Sequence, residues 1–272
     1  MLFTGFHPSN AFLFFVSSSY SFHIPHISFL ICEEKGGNVL AFQYIFKRVE
    51  KKYILNSQQY EAVLSGISEH MEIDRYGETP ILNIYFDTPQ NRLIQISIDK
   101  PVYKEKLRLR SYGVPKDKDH TVFLEIKKKY KKTVYKRRVS MTLSEAEKYI
   151  ETGVFPEKIS GNIPREIDYM IHYWDLSPRV FIAYDRTAYY SKETPELRIT
   201  FDRNIRSRYE NISFLSKDEG EALLPQDTYI MEIKIPNAAP LWLVRLLSEH
   251  NIFSQSFSKY GNVYINKFLK GD

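Results

Sequence analysis

The sequence predicts an α+β protein in which antiparallel strands close into a barrel with a charged interior, flanked by helices. Strand-like runs rich in Ile, Val, Tyr and Phe recur along the chain, and helix-capping patterns separate them. Within several of these runs, basic residues occupy every second position. Alternate side chains of a strand point to opposite faces, so the basic residues of the clearest run share one side. These residues are Lys104, Lys106, Arg108 and Arg110.

A solvated outer face on an ordinary antiparallel sheet would explain any one of these strands, because polar and apolar residues alternate there as a rule. Several strands, however, mix Lys and Arg with a single Glu, and Arg is suited to forked contacts with phosphate. A closed barrel with a polar lumen explains all of them together, and its contents should be anionic. The other segments of this kind are Arg48-Val-Glu50-Lys-Lys52, Glu125-Ile-Lys127, Lys136-Arg-Arg138, Arg186, Glu196-Leu-Arg198 and Glu232-Ile-Lys234.

The charge of the chain is concentrated in one stretch. The whole chain has 272 residues and a net charge of +5, but residues 104–138 contain 14 Lys and Arg against four Asp and Glu. Such an imbalance indicates phosphate-rich partners. With 43% hydrophobic residues the chain can bury a full core. The sole cysteine, Cys32, excludes an intrachain disulfide framework and a cysteine-based zinc site.

The first residues do not share this pattern. Residues 1–32 contain no Lys, Arg, Asp or Glu, and their apolar runs are too short for a membrane span and lack the basic start of a signal peptide. We expect residues 1–39 to lie outside the domain, as an over-extended start, with translation beginning near residue 40. A weak membrane anchor is the competing hypothesis.

From residue 44 onward the chain has one organisation, predicted as a single domain over 44–268. Its helices are indicated by capping patterns. Ser57 can cap a first helix whose apolar side runs to Met71. Thr142 and Glu145 form a capping-box pattern ahead of a helix ending at Gly153. Proline in the first turn predicts two more, at Pro164 and Pro240. Strands are predicted near 44–54, 81–87, 94–98, 102–112, 120–129, 133–141, 179–189, 196–203 and 228–235.

A succession of short motifs resembles the polyphosphate polymerase domain of the vacuolar transporter chaperone (VTC) family, which belongs to the CYTH-like triphosphate tunnel metalloenzymes. Each motif is weak alone, but their order is specific. The motifs are Phe46-Lys-Arg-Val-Glu50-Lys-Lys52-Tyr, Tyr85-Phe-Asp-Thr88, Lys106-Leu-Arg-Leu-Arg-Ser-Tyr-Gly113, Phe123-Leu-Glu-Ile-Lys127, Lys136-Arg-Arg138, Tyr184-Asp-Arg186, Leu197-Arg-Ile-Thr-Phe-Asp202, Met231-Glu-Ile-Lys234 and Ser258-Lys-Tyr260.

The resemblance implies an eight-stranded antiparallel tunnel that binds Mn²⁺ or Mg²⁺ and makes polyphosphate from ATP. It implies a cytoplasmic enzyme whose partners are ATP and inorganic polyphosphate, with a membrane partner for polymer export as a further option and no nucleic acid. Glu232 matches the metal-holding glutamate, and Glu50 either holds metal or pairs with a neighbouring cation. The implied catalytic residues are Arg108, Arg110, Lys127, Lys259 and Glu232. The implied phosphate ligands are Lys52, Lys106, Arg108, Arg110, Lys127, Lys136, Arg138, Arg186, Arg198, Lys234, Ser258 and Lys259.

One departure from the superfamily favours polymerase over triphosphatase. The related hydrolases open with Glu-x-Glu-x-Lys, in which two carboxylates hold metal, whereas here Arg48 replaces the first carboxylate. A metal-dependent inorganic or nucleoside triphosphatase stays open as an alternative, as does a catalytically silent polyphosphate-binding module. The many Tyr and Phe residues also leave a binder of single-stranded nucleic acid as a more distant alternative.

Overall fold

The structure is a computed structural model, which describes residues 42–46, 49–131, 133–194, 196–216, 218–236 and 238–270. The predictions about residues 1–39 and about Arg48 lie outside these ranges. Within them, no helix is both long and apolar enough to cross a membrane.

The predicted α+β class and antiparallel pairing are confirmed. Ten strands of the described residues form one sheet, in the order β1-β6-β5-β4-β3-β7-β8-β10-β2, with β9 paired to β8. Every pairing is antiparallel. The strands are β1 (Phe42–Phe46), β2 (Val49–Leu55), β3 (Met71–Asp87), β4 (Tyr103–Tyr112), β5 (Thr121–Tyr130), β6 (Thr133–Thr142), β7 (Ser177–Ser191), β8 (Arg198–Arg208), β9 (Glu221–Ala222) and β10 (Tyr229–Ile235).

The prediction of a closed, eight-stranded barrel is wrong. Among the described strands, no hydrogen-bonded pairing joins the terminal strands β1 and β2. A physical reason lies at the edge of β2, where the carbonyl of Lys52 accepts a hydrogen bond from the backbone N–H of Gln255 at 2.7 Å. The sheet nevertheless curls. This curvature is shown by Lys127 Nζ on β5, which lies 3.8 Å from Glu50 Oε2 on the distant strand β2. The result is an open sheet with a concave surface, here called the inner face.

In the part of the chain that the structure describes, six α-helices and one π-helical turn accompany the sheet. The capping box at Thr142 and Glu145 is confirmed, and Gly153 ends that helix in the left-handed region at φ 70°. The first helix differs from its prediction, since Asn56 rather than Ser57 is its cap and Met71 begins β3. The helices are α1 (Ser57–Ile67), α2 (Arg92–Ile98), α3 (Leu143–Thr152), α4 (Asn162–Trp174), α5 (Leu241–Glu249), α6 (Lys259–Tyr264) and the π-turn (Ile265–Leu269).

The predicted strand at 94–98 is wrong, because this segment is the end of helix α2. The buried carboxylate of Asp87 accepts hydrogen bonds from the backbone N–H groups of Leu93 and Ile94 at 2.8 and 3.0 Å. It thereby satisfies N–H groups in the first helical turn, which have no partner within the helix. The same carboxylate accepts a hydrogen bond from Tyr260 Oη at 2.9 Å, so one buried acid holds α2 and α6 together.

On β4 and β10, the two faces of the strand have opposite roles. Leu107 and Leu109 of β4 are 0% and 1% exposed and pack with Leu143 of α3 and Ile167 of α4. Towards the other end of the strand order, Met231 and Ile233 of β10 belong to a second core that α1 and α5 cover. These cores use the outward side chains, which leaves the alternate basic residues to the inner face.

Truncating one outward side chain should lower the free energy of unfolding more than truncating a surface cation. Leu109→Ala is expected to lower the free energy of unfolding by about 2–5 kcal/mol, because it opens a cavity in a fully buried core. Lys129→Ala, on the exposed end of β5, should change it by no more than about 0.5 kcal/mol. Urea unfolding measures both values. Equal values for the two variants would contradict the assignment of the strand faces.

Candidate phosphate-binding site

Strand register brings the predicted basic residues together on the inner face. Arg108 is paired across the ladder with Glu125 of β5, and Glu125 is paired with Arg138 of β6. At the other end of the sheet, formed by β8, β10 and β2 and here called the other arm, Glu232 of β10 is paired with Lys52 of β2. Directly paired residues point to the same side of a sheet, so their side chains lie next to one another. Charges far apart in sequence thus form three clusters, each built on one carboxylate.

The first cluster surrounds Glu125, whose side chain is 1% exposed. Arg108 donates from Nε and Nη2 to Glu125 Oε2 at 2.9 and 2.8 Å. Lys136 Nζ lies 2.8 Å from the other oxygen, Oε1. Arg110 and Arg138 stand further off, at 3.9 and 4.0 Å. One carboxylate therefore organises four cations, and the cluster carries excess positive charge.

The protonation of this cluster follows from its burial and its neighbours. Burial alone would raise the pKa of Glu125, but Arg108, Arg110 and Lys136 outweigh it and hold the pKa well below the usual range. Burial lowers the pKa of Lys136 to about 7, against the opposing attraction of Glu125. Glu125 is thus ionised at neutral pH, and the neighbouring cations neutralise its negative charge.

Neutral side chains fix the two arginines. Asn83 is fully buried, and its Oδ1 accepts a hydrogen bond from Arg110 Nε at 2.9 Å. Arg110 Nη2 donates to the hydroxyl of Tyr184 at 3.1 Å, and Arg108 Nη1 donates to the hydroxyl of Tyr85 at 3.2 Å. The guanidinium groups are therefore positioned before any ligand arrives.

The second cluster is built on Asp202 of β8, whose side chain is 1% exposed. Arg186 of β7 donates to both of its oxygens, from Nε at 2.6 Å and from Nη2 at 2.8 Å. Lys259, at the start of α6, also donates to Asp202, and its Nζ lies 4.2 Å from the ring centroid of Tyr184. Since Tyr184 also binds Arg110, this ring lies between the first and second clusters.

The third cluster contains Glu232, which lies 3.2 Å from Lys234 Nζ and 3.9 Å from Lys52 Nζ. Lys52 Nζ also donates to the carbonyl of Phe257 at 2.8 Å. Burial lowers the pKa of Lys52 to about 8, although Glu232 opposes that shift. Burial would raise the pKa of Glu232, but Lys234 and Lys52 hold it well below its ordinary value.

Lys106 lies between these clusters and the C-terminal segment. Its Nζ donates to the hydroxyl of Ser258 at 3.0 Å. Burial, with the positive charges of Lys104, Lys127 and Lys52, lowers its pKa to about 7. An anion placed here would relieve the repulsion and favour the protonated lysine.

A divalent metal fits this site only if phosphate supplies part of its coordination. Among the described residues, no three His, Cys, Asp or Glu side chains lie close enough together to hold a metal ion. Glu232 offers one carboxylate, and Glu50 sits diagonally from it on the next strand, opposite Lys234. Mg²⁺ in phosphate-processing sites is commonly held by one or two carboxylates plus the phosphates themselves. The donor set is compatible with that mode of binding.

The structure thus brings most of the predicted site residues together on the inner face, and it places further residues, which were not predicted, beside them. Lys127 is 46% exposed at 3.8 Å from Glu50, and the exposed Arg198 is paired with Lys234. The sequence reasoning assigned no role to Glu125, Asp202, Asn83 or Tyr184. Alternation does place Glu125 on the same face as Lys127, two residues later, and this was the available signal for its role. The others depend on strand register, which the sequence does not reveal.

The lysines with lowered pKa values predict how stability depends on pH. Between about pH 7 and the ordinary lysine value of about 10.4, the folded protein binds fewer protons than the unfolded chain, so stability should rise with pH. The free energy of urea unfolding should therefore increase from pH 7 to pH 9. Lys106→Met should flatten this rise, and saturating tripolyphosphate should also reduce it. A parent protein whose stability falls over this interval would contradict the assignment.

The protein is similar to a known protein family in sequence and to solved structures in fold. The family model of the VTC domain matches residues 47–266. Comparison with curated protein sequences gives no significant match. A structure titled as a putative adenylate cyclase from Bacillus halodurans superposes with a TM-score of 0.50 at 14% identity, covering 83% of this chain and 99% of that one.

Two further solved structures show weaker similarity. One is titled as a putative adenylate cyclase from Vibrio parahaemolyticus, with a TM-score of 0.41, 14% identity and coverage of 79% of this chain and 97% of that one. The other is a protein from Pyrococcus horikoshii OT3, with a TM-score of 0.40, 15% identity and coverage of 80% and 96%. At these identities the Bacillus structure supports the fold alone. The sequence match spans most of the chain, and the protein belongs to the VTC domain family.

Proposed function

We propose that this protein is an ATP-dependent polyphosphate polymerase, which transfers the γ-phosphoryl group of ATP to the end of a growing polyphosphate chain. The observation that carries the proposal is the Glu125 cluster, in which four cations share one buried carboxylate. Such a cluster retains positive charge on a concave surface, where it can hold a polyanion. Membership of the VTC domain family supports the same conclusion.

The reaction needs positioning and charge neutralisation more than it needs a protein nucleophile. A terminal oxygen of the polyphosphate chain attacks the γ-phosphorus, a new P–O bond forms, and the bond to the β-phosphate oxygen breaks to release ADP. Arg108, Arg110 and Lys136 would hold the triphosphate of the nucleotide. Lys52, Lys127 and Lys259, with Arg186, would hold the acceptor chain. Mn²⁺ or Mg²⁺, bound through Glu232, would supply further neutralisation of the phosphate oxygens.

The charges of the inner face favour transfer to phosphate over hydrolysis. Glu125 and Asp202 each contact at least two cations, so each already serves to hold basic side chains. Hydrolysis by a metal-activated water would require carboxylates committed to the metal. A series of fixed cations instead suits a long phosphate chain, which can shift between similar contacts.

A direct assay distinguishes the candidate activities. The purified chain is incubated with ATP and Mn²⁺, and polyphosphate is measured on a gel beside released phosphate. Polymer formation supports the proposal. Free phosphate without polymer, from ATP or from tripolyphosphate, would indicate a triphosphatase. Binding of polyphosphate without turnover would indicate a catalytically silent module.

Replacing either central arginine should impair catalysis and leave the fold intact. Arg108→Ala or Arg110→Ala is expected to lower kcat/KM for ATP by about 10²-fold, the usual cost of losing one preorganised donor. Glu125 would still be neutralised by the remaining cations, so thermal stability should not collapse. Steady-state assays and thermal melts measure both effects. Arg203→Ala is the matched control, because Arg203 forms an exposed ion pair with Glu78. A variant of Arg108 or Arg110 that polymerises like the parent would contradict this assignment.

A third substitution separates the metal role from the phosphate role. Glu232→Gln keeps the shape of the side chain but removes the charge that a hard divalent cation requires. It should retain ATP binding and lose most polymerisation, with little rescue by added Mn²⁺. Lys259→Ala should weaken phosphate binding itself. Calorimetry with ATP, with and without Mn²⁺, gives the binding constants to compare with turnover. Full activity of Glu232→Gln would exclude Glu232 as the metal ligand and make Glu50 the remaining candidate.

A further inference from the structure

Two aromatic rings adjoin the basic residues at one end of the inner face. Tyr112 follows Arg110 by two residues on β4 and therefore lies on the same face. Phe123 of β5 is the direct cross-strand partner of Arg110, so it also faces inward. The two rings meet edge to face, with centroids 5.6 Å apart and planes at 78°.

Both rings contact cations of the Glu125 cluster. The guanidinium carbon of Arg110 lies 5.7 Å from the ring centroid of Tyr112, and that of Arg138 lies 4.5 Å from the centroid of Phe123. Burial would raise the pKa of Tyr112, but the charge of Arg110 and its hydrogen bond, together with the charge of Arg108, lower that pKa. Tyr112 is nevertheless 41% exposed, unlike the buried leucines of the same strand. Its ring is thus part of the charged surface, and a ligand bound there can reach it.

The opposite end of the same strand pair has a different chemistry. There Lys104 is paired with Lys129, and Lys106 is paired with Lys127. One end of the basic surface therefore offers aromatic rings, and the other offers lysines. An unsubstituted phosphate chain requires only cations, whereas a nucleotide also carries a flat aromatic base.

The spacing along β4 fits a nucleotide lying along the strand. Tyr112 lies four positions beyond Arg108 on β4, which corresponds to about 13 Å in an extended strand. Phosphates held at Arg108 and Arg110 would therefore leave the ribose and base beside Tyr112. The reverse orientation would place the base among lysines.

We propose that Tyr112, supported by Phe123, is the stacking surface for the base of the donor nucleotide. This inference rests on the proposed function, and it sets the direction of the reaction: the nucleoside lies at the aromatic end, and the phosphate chain extends towards Lys106 and Lys104. Aromatic stacking tolerates any base, since every base has a π-face. ATP and GTP should therefore bind with similar affinity.

Comparing a ligand with a base to one without a base tests the inference. Calorimetry is performed with ATP and with tripolyphosphate on the parent, Tyr112→Ala and Tyr112→Phe. Tyr112→Ala should weaken ATP binding by at least about fivefold, the lower range for losing one base stack, and leave tripolyphosphate binding unchanged. Tyr112→Phe should bind both ligands like the parent. Tyr173→Ala is the matched control, because Tyr173 is 65% exposed on α4; it should change neither affinity.

Several results would overturn the inference. Equal losses for ATP and tripolyphosphate would show that Tyr112 only positions Arg110, and no loss for either would show that the base does not contact it. Tyr112→Leu, which keeps an apolar side chain in the strand, provides the same comparison if the alanine variant does not fold. A parent that binds ATP and shows the expected Tyr112 effect, yet makes no polymer, would refute the polymerase and retain the nucleotide site. A parent that does not bind ATP would refute both.

Discussion

The inner face depends on carboxylates buried beneath cations. Glu125 is the clearest case, because it is almost wholly buried and contacts Arg108 and Lys136 at 2.8 Å, with two more arginines close by. Without that negative charge, neighbouring strands would bring four cations together in a partly desolvated space. The carboxylate makes this concentration of positive charge compatible with folding, and Asp202 and Glu232 do the same on the other arm of the sheet.

This arrangement has a consequence for catalysis. A buried ion pair often contributes little net stability, because desolvation offsets the attraction between the charges. What it does provide here is fixed geometry: the two hydrogen bonds that Arg108 donates to Glu125, and those that Arg110 donates to Asn83 and Tyr184, leave both arginines little freedom. Donors that are positioned before the ligand binds need not reorganise when charge develops on the transferring phosphoryl group. The excess cations then bind phosphate, while Glu125 stays beneath them.

The sequence predicts the parts of this structure that depend on local pattern. Alternation in β4 correctly placed Arg108 and Arg110 on one side of the strand, opposite the buried Leu107, and the capping box at Thr142 located the start of α3. The helix at 92–98 was missed, because its first turn is held by Asp87, a contact that no short sequence pattern shows. Closure of the sheet was predicted wrongly for a similar reason, since the edge of β2 is contacted by Gln255 from the far end of the chain.

The same division applies to the site. The basic residues stand out in the sequence, whereas the roles of Asp202 and Tyr184 depend on which strands are neighbours. Tyr184 lies between two clusters only because β7 pairs with both β3 and β8.

The central claim is that the inner face binds phosphate through cations held by buried carboxylates. A crystal structure of the protein with tripolyphosphate tests it most directly. The account predicts phosphate oxygens within hydrogen-bonding distance of Arg108, Arg110 and Lys136, with the contact between Arg108 and Glu125 retained. Tripolyphosphate bound only on the outer surface, or bound after Arg108 has separated from Glu125, would contradict it.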